Sequence, residues 1–163
     1  MSTPTLEQSR CSLAAEVLLR RGILTLKAFG TSMLPTLWPG DVVAIQSCDF
    51  NEAAAGDIVL CMRDGRFYLH RLTKKTSPGN NLLLTRGDSM PAPDPPVIAS
   101  EVLGKVTEIR RGHRVIAPTR RPSPAMWALG RLLGHSNFCL RVALRLRGTL
   151  DANPDLSVSN AVL

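Results

Sequence analysis

Three kinds of side chain in this sequence could together make a weak hydroxyl nucleophile reactive. Ser32 lies in the run Gly30-Thr31-Ser32-Met33-Leu34-Pro35-Thr36-Leu37-Trp38-Pro39-Gly40-Asp41, His70 lies in Arg66-Phe67-Tyr68-Leu69-His70-Arg71-Leu72, and two carboxylates, Asp88 and Asp94, follow. A serine hydroxyl needs a base within hydrogen-bond reach, and the base needs a third group to hold it. Ser32 as nucleophile, His70 as base and either Asp88 or Asp94 as orienting acid fill these roles, which reads as a serine protease site. Pro35, Pro39 and Gly40 force a turn that sets Ser32 on a rigid element with backbone N–H groups nearby, and Met33 and Leu34 give it apolar surroundings.

Each of these residues also has a plain structural use. A serine in a turn is structural far more often than catalytic, so the partners must carry the reading. A period of two along the His70 strand puts Tyr68, His70 and Leu72 on one face, where His70 could equally be a satisfied core histidine. Asp88 beside Gly87 could cap its own turn, as Asp41 and Asp57 are expected to do in their Gly-Asp pairs. His113 and His135 have no partner pattern. Cys11, Cys48, Cys61 and Cys139 form no Cys-x-x-Cys pair and have no histidine at metal-ligand spacing. No metal or other cofactor is expected, and the thiols are read as reduced and mostly buried.

The elements that must position these groups follow from periodicity and turn residues. Leu6 to Arg21 has helical spacing and ends at Gly22, a C-cap candidate. Short β-rich runs follow at Ile23–Phe29, Val42–Ser47, Asp57–Met62, Arg66–Leu72, Leu82–Thr85 and Val102–Arg110, with Asp64-Gly65 as a hairpin signal. Short strands without helical runs between them predict a mainly β, coiled or barrel-like body rather than a parallel α/β sheet. Pro91, Pro93, Pro95 and Pro96 stiffen one loop, and Pro118, Pro122 and Pro124 mark a linker to C-terminal amphipathic helices broken near Gly134 to Asn137. The expected organisation is an N-terminal helix over 1–22, a β-rich body over 23–117, a basic helical extension over 118–150 and a disordered tail over 151–163.

The 163 residues carry a net charge of +7, and no acidic residue occurs between Glu108 and Asp151. That asymmetry favours an anionic partner, nucleic acid or a phospholipid surface, or else is a solvated basic face. Glu16, Arg20 and Arg21 interrupt the first apolar segment, and Arg131, His135, Arg141 and Arg145 interrupt the last one. No spanning helix or secretory signal is visible, so the expected location is cytoplasmic or peripheral to a membrane.

With these residues assembled, the chain resembles the type I signal peptidase family of serine endopeptidases, in the S24/S26 superfamily, over about residues 24 to 110. Five boxes fall in the family's order: Gly30 to Leu37 with Gly40-Asp41, Gly56-Asp57-Ile58-Val59, His70-Arg71-Leu72, Gly87-Asp88 with Asp94-Pro95 and Val97, and Gly104-Lys105-Val106. A histidine at the base position is similar to the endoplasmic reticulum, archaeal and spore-former branch; most bacterial members and the related self-cleaving repressors have lysine there. The resemblance implies a coiled β body, with Ser32 as nucleophile, His70 as base and Asp88 and Asp94 as candidate acids. It places oxyanion and substrate contacts at Thr31, Met33 and Pro35. Where the bacterial branch has a hydroxyl residue two places before the nucleophile, this chain has Gly30, and the family's transmembrane anchor is not visible. The expected substrate is a peptide or precursor protein with small side chains near the cut, with an anionic membrane surface as a partner of the basic C-terminal helices. Two alternatives stand beside it: a non-catalytic peptide-binding module on the same fold, and a self-cleaving transcriptional regulator. Against the regulator, residues 1 to 22 are too short for a helix-turn-helix, so nucleic acid is not the expected partner.

Overall fold

The computed structural model describes residues 5–76, 82–135 and 141. Helix α1 (Leu6–Arg21) starts at Thr5, whose hydroxyl accepts the Gln8 N–H while the Gln8 side chain accepts the Thr5 N–H. This reciprocal capping box satisfies donors that the first turn leaves free. Gly22 ends the helix in the left-handed conformation and returns its N–H to Leu18 O at 2.8 Å. The face turned inward is Ala14, Ala15 and Leu18, whereas Leu6 and Leu13 stay exposed. Two of these three residues are alanines, whose small side chains let the helix backbone approach the sheet closely around the fully buried Leu18.

Eight strands form one antiparallel sheet: β1 (Ile23–Lys27), β2 (Val42–Ser47), β3 (Ile58–Arg63), β4 (Arg66–Lys75), β5 (Leu82–Arg86), β6 (Val97–Ile98), β7 (Val102–Arg111) and β8 (Arg114–Ile116). Their order is β1-β2-β7-β3-β4-β5-β6, and β8 pairs β7. The fold is mainly β, as the short, turn-bounded runs predict. Strands β4, β5 and β7 extend past their expected ends, while β1 stops at Lys27, before Phe29. β6 and β8 were not expected.

Register shifts at Ala44/Ile45, Leu60/Cys61 and Leu72/Lys74 bend the ladder. Such bulges increase local twist, which is how one sheet coils around two cores. Successive residues of β3 point into opposite cores. Ile58 and Leu60 join a cluster with Ala14, Leu18, Met33, Leu37 and Ile45, while Val59 and Cys61 join one with Leu72, Leu83 and Val97. A strand buried on both faces reads as a continuous apolar run, and Ile58 to Cys61 is one.

A C-terminal helix, α2 (Pro124–His135), follows the proline linker and ends within the Gly134 to Asn137 stretch where a break was expected, the rest of which lies outside the described residues. The expectations for a second C-terminal helix and for a disordered tail fall outside the described residues. No helix among the described residues is long and apolar enough to cross a membrane.

Candidate active site

The loop that carries Ser32 is closed at its base by two backbone hydrogen bonds, Ala28 N–H to Asp41 O at 2.7 Å and Gly40 N–H to Ala28 O at 2.9 Å. Met33, Leu34 and Leu37 sink into the core beneath it. Asp41 caps its turn by accepting the Trp38 N–H at 2.8 Å, the role expected from sequence, and its carboxylate also binds Arg111. A loop tied at its base, core and cap holds a hydroxyl in fixed geometry.

That hydroxyl meets the middle of β4. Ser32 Oγ lies 3.0 Å from His70 Nε2, and His70 Nδ1 lies 2.6 Å from Asp94 Oδ2. The Thr85 hydroxyl donates to the same Asp94 oxygen at 2.7 Å, and Asp94 N–H donates to Thr85 O at 2.9 Å. Thr85 is fully buried on β5, so it fixes the proline-stiffened loop over the imidazole from both backbone and side chain. Tyr68 stands edge-on to the His70 ring, with centroids 5.5 Å apart. The His70 and Asp94 side chains are 13% and 19% exposed, wet enough at the rim for a substrate to reach and otherwise enclosed.

Asp88 sits elsewhere. Its two oxygens take the Arg71 guanidinium in a bidentate pair, both contacts at 2.7 Å, and it also accepts from the Thr36 hydroxyl. Arg71 Nη1 donates to the carbonyls of Gly56 and Thr119, each at 2.7 Å, and Nη2 also donates to the Thr36 hydroxyl oxygen at 3.3 Å. One cation beside the base thus ties together the acid loop, the turn before β3 and the proline linker. Ser89 completes the join: its N–H donates to Ser32 O at 2.9 Å, and its hydroxyl lies 2.9 Å from the carbonyls of Thr31 and Ser32. A Cβ at Gly87 would fall 2.6 Å from Ser32 O, so only glycine lets these loops touch. Arg71, Thr36, Thr85 and Ser89 were not singled out from sequence; the signal for Arg71 was its place beside His70.

Helix α2 lies against both loops. A Cβ at Gly130 would meet Asp88 O at 2.9 Å and Leu34 O at 3.0 Å, with Pro35 beyond at 3.3 Å, and one at Gly134 would meet Ser89 O at 2.0 Å. Trp127 holds the other end of the helix between the guanidiniums of Arg86 and Arg131, 5.8 and 5.0 Å from its ring centroid. These cation–π contacts tie α2 to the end of β5.

In front of Ser32 opens a cleft of about 720 Å³, walled by α1, by β1 with the residues that follow it, and by the first half of β4. Met33 is in its wall; Thr31 and Pro35 are not, and Pro35 faces α2 instead. The N–H groups of Ser32 and Met33 make no hydrogen bond among the described residues, nor does the Thr31 hydroxyl. Gly30 has a φ of +81°, a conformation that side-chain-bearing residues avoid, so the expected hydroxyl is replaced by a backbone kink. Among the described residues no three metal-ligating side chains come together.

The buried thiols of Cys48 and Cys61 are pushed up to about 11 and about 12 by desolvation, which makes them poor nucleophiles at neutral pH.

A family model described as Peptidase S24-like matches residues 3–107, more than half of the chain. No curated protein matches it. The chain belongs to the S24-like peptidase family, and the match spans every strand from β1 to β6 and most of β7, together with Ser32, His70, Asp88 and Asp94.

Proposed function

We propose that this member of the S24-like peptidase family is a serine endopeptidase of signal-peptidase type, cutting an extended peptide through an acyl-enzyme on Ser32. The observation that carries the reading is the unbroken line from Ser32 Oγ through both ring nitrogens of His70 to Asp94 Oδ2. With Nδ1–H given to Asp94, Nε2 is the acceptor that Ser32 requires. As Oγ attacks the scissile carbonyl carbon, its proton passes to Nε2, and the Asp94 carboxylate stabilises the imidazolium. The carbonyl oxygen becomes an oxyanion facing the free N–H groups of Ser32 and Met33. Collapse breaks the C–N bond, Nε2 returns the proton to the leaving amine, and an ester on Ser32 remains. Water, deprotonated by His70, then attacks the ester and frees the acid.

The outer edge of β1, which no other strand pairs among the described residues, supports an extended substrate, because a peptide added there gains backbone hydrogen bonds without help from its side chains. Exposed Trp127, Leu129 and Leu132 on α2 support action at a membrane face, with apolar contacts on a basic extension.

The test is full-length protein incubated with a fluorophosphonate probe and a quenched fluorescent peptide library, with and without anionic liposomes, beside Ser32→Ala and His70→Ala. Labelling of Ser32 and turnover, with kcat/KM lowered on the order of 10³-fold or more in either variant, is the expected result. Neither labelling nor turnover from folded protein overturns the reading in favour of a binding module. Fragments of the chain itself without peptide turnover favour a self-cleaving regulator.

A further inference from the structure

Asp94 lies in the run Pro91-Ala92-Pro93-Asp94-Pro95-Pro96, and that setting decides what can hold its carboxylate. A loop aspartate commonly bonds the backbone N–H two residues on, and so fixes its own rotamer. Here the next two residues are prolines, which have no N–H to give. The Asp94 N–H is itself engaged by Thr85 O at 2.9 Å. With the usual local donor gone, the carboxylate is held from other elements. Among the described residues two groups donate to it: His70 Nδ1, 2.6 Å from Oδ2, and the Thr85 hydroxyl, 2.7 Å from the same oxygen. The neighbouring guanidiniums are occupied elsewhere, Arg71 by Asp88 and Arg86 on the Trp127 ring.

Strand register brings the hydroxyl to that oxygen. Across β4 and β5, Arg71 pairs with Arg86 and Leu72 with Thr85. Paired residues share a face, and alternation puts Leu72 on the face of His70, so Thr85 is a diagonal neighbour of the imidazole. A slip of one residue would turn the hydroxyl to the opposite face. Thr85 and Leu72 are both fully buried. A branched side chain enclosed in this way has a stiff χ1 and little room to leave its rotamer.

From this geometry we infer that Thr85 is a positioning residue of the catalytic line. Its hydroxyl, locked in the sheet, fixes the Asp94 carboxylate so that Oδ2 stays on His70 Nδ1 and Nε2 is left to face Ser32. Without it the carboxylate turns about its own torsions, on a loop whose prolines give it no donor, and the imidazole loses the partner that sets its tautomer. The inference rests on the peptidase reading for its effect on turnover, and on the hydrogen bonds alone for its effect at His70.

Two substitutions separate the hydroxyl from the packing. Thr85→Val keeps the branched shape and removes the hydroxyl, whereas Thr85→Ser keeps the hydroxyl and removes a buried methyl group. Full-length wild type, both variants, Asp94→Asn and the Thr85→Val/Asp94→Asn double variant are compared in four readouts. These are Tm, the rate of fluorophosphonate labelling at Ser32, kcat and KM on a cleaved peptide, and the downfield proton signal of His70 Nδ1–H, assigned by its loss in His70→Ala. Thr85→Val is expected to slow labelling and kcat about 10- to 10²-fold with KM close to wild type, because a small misplacement of the base acts on the chemical step. Its Nδ1–H signal broadens through faster exchange with water. Thr85→Ser lowers Tm, yet labels within about threefold of wild type and keeps a sharp signal. In the Asp94→Asn background, Thr85→Val costs little more, because it acts through that carboxylate.

A folded Thr85→Ser that labels as slowly as Asp94→Asn, or fully additive losses in the double variant, overturns the inference and leaves the peptidase reading standing. Wild-type protein that neither labels nor turns over peptide removes the peptidase reading instead. The Nδ1–H signal then decides the inference by itself: broad in Thr85→Val and sharp in Thr85→Ser upholds it, and alike in both overturns it.

Discussion

Asp88 and Asp94 lie in one short loop region and do different work. Asp94→Asn keeps the size of the side chain but removes the charge that holds the His70 tautomer and stabilises its cation. Its expected effect is a fall in kcat on the order of 10²- to 10⁴-fold, with thermal stability close to wild type. Asp88→Ala leaves the Arg71 guanidinium without its carboxylate, in a pair whose side chains are only 9% and 10% exposed. Removing one partner of a buried pair costs about 3–5 kcal/mol, enough to lower Tm by roughly 10 °C or more. Calorimetry beside steady-state kinetics separates the two, and the opposite pattern would exchange their roles. The residue types that the proposed chemistry needs were legible in the sequence, because a turn-bound serine, a strand histidine and two nearby aspartates are few enough to list. Which aspartate meets the histidine was not legible, since it depends on Thr85 catching the proline loop and on Arg71 taking Asp88 first. Strand alternation predicted that Arg71 and His70 point apart, and they do, yet Arg71 is buried as well, because the loops beyond the sheet fold over it.

At the scale of elements, strands with four or more apolar or β-branched residues between turn signals were readable, and those resting on pairing alone were not. β6 is two residues long and exists through Leu82↔Ile98 and Leu83↔Val97, while β8 exists because Gly112 turns the chain back along β7. No sequence period survives over so short a span. The seat of α2 was equally hidden, for it depends on two glycines four residues apart meeting carbonyls from distant loops. In a free helix, glycine to alanine is favourable by about 1 kcal/mol. At Gly134 the added Cβ would lie 2.0 Å from Ser89 O, the carbonyl of a residue whose N–H and hydroxyl are hydrogen-bonded to the nucleophile loop. Overlap of that kind costs about 1–3 kcal/mol and outweighs the propensity gain. Gly134→Ala is therefore expected to lower Tm, whereas a rise in Tm would show that α2 does not rest on the acid loop. Ala128→Gly, on the exposed side, should lose only about 1 kcal/mol.

Across the whole molecule, the basic excess of the sequence is partly consumed by the fold. Arg111 pairs with Asp41, Arg120 with Asp57 and Arg110 with Glu108, so arginines from the acid-free stretch neutralise carboxylates at the turns before β2 and β3 and on β7. Charge that looks segregated along the chain is interleaved in space, which composition alone does not reveal. The two cores bring a different consequence, visible in alkali. Cys48 and Cys61 are raised from an ordinary thiol value of 9.0 to about 11 and about 12, chiefly by desolvation, and burial also raises the Tyr68 phenol. Above pH 9 the unfolded chain gives up these protons while the folded chain retains them, so the unfolded state binds fewer protons and stability falls as pH rises. The loss starts near pH 9 and continues until the folded thiols ionise, at about 11 and about 12. Tm should hence be nearly level from pH 7 to 8.5 and decline through pH 10.5. In the Cys48→Ala/Cys61→Ala variant, the two cavities lower Tm at neutral pH, but the decline above pH 9 should be shallower. Differential scanning calorimetry across this range decides the matter: an unchanged alkaline slope in the variant would mean that groups other than the buried thiols govern it.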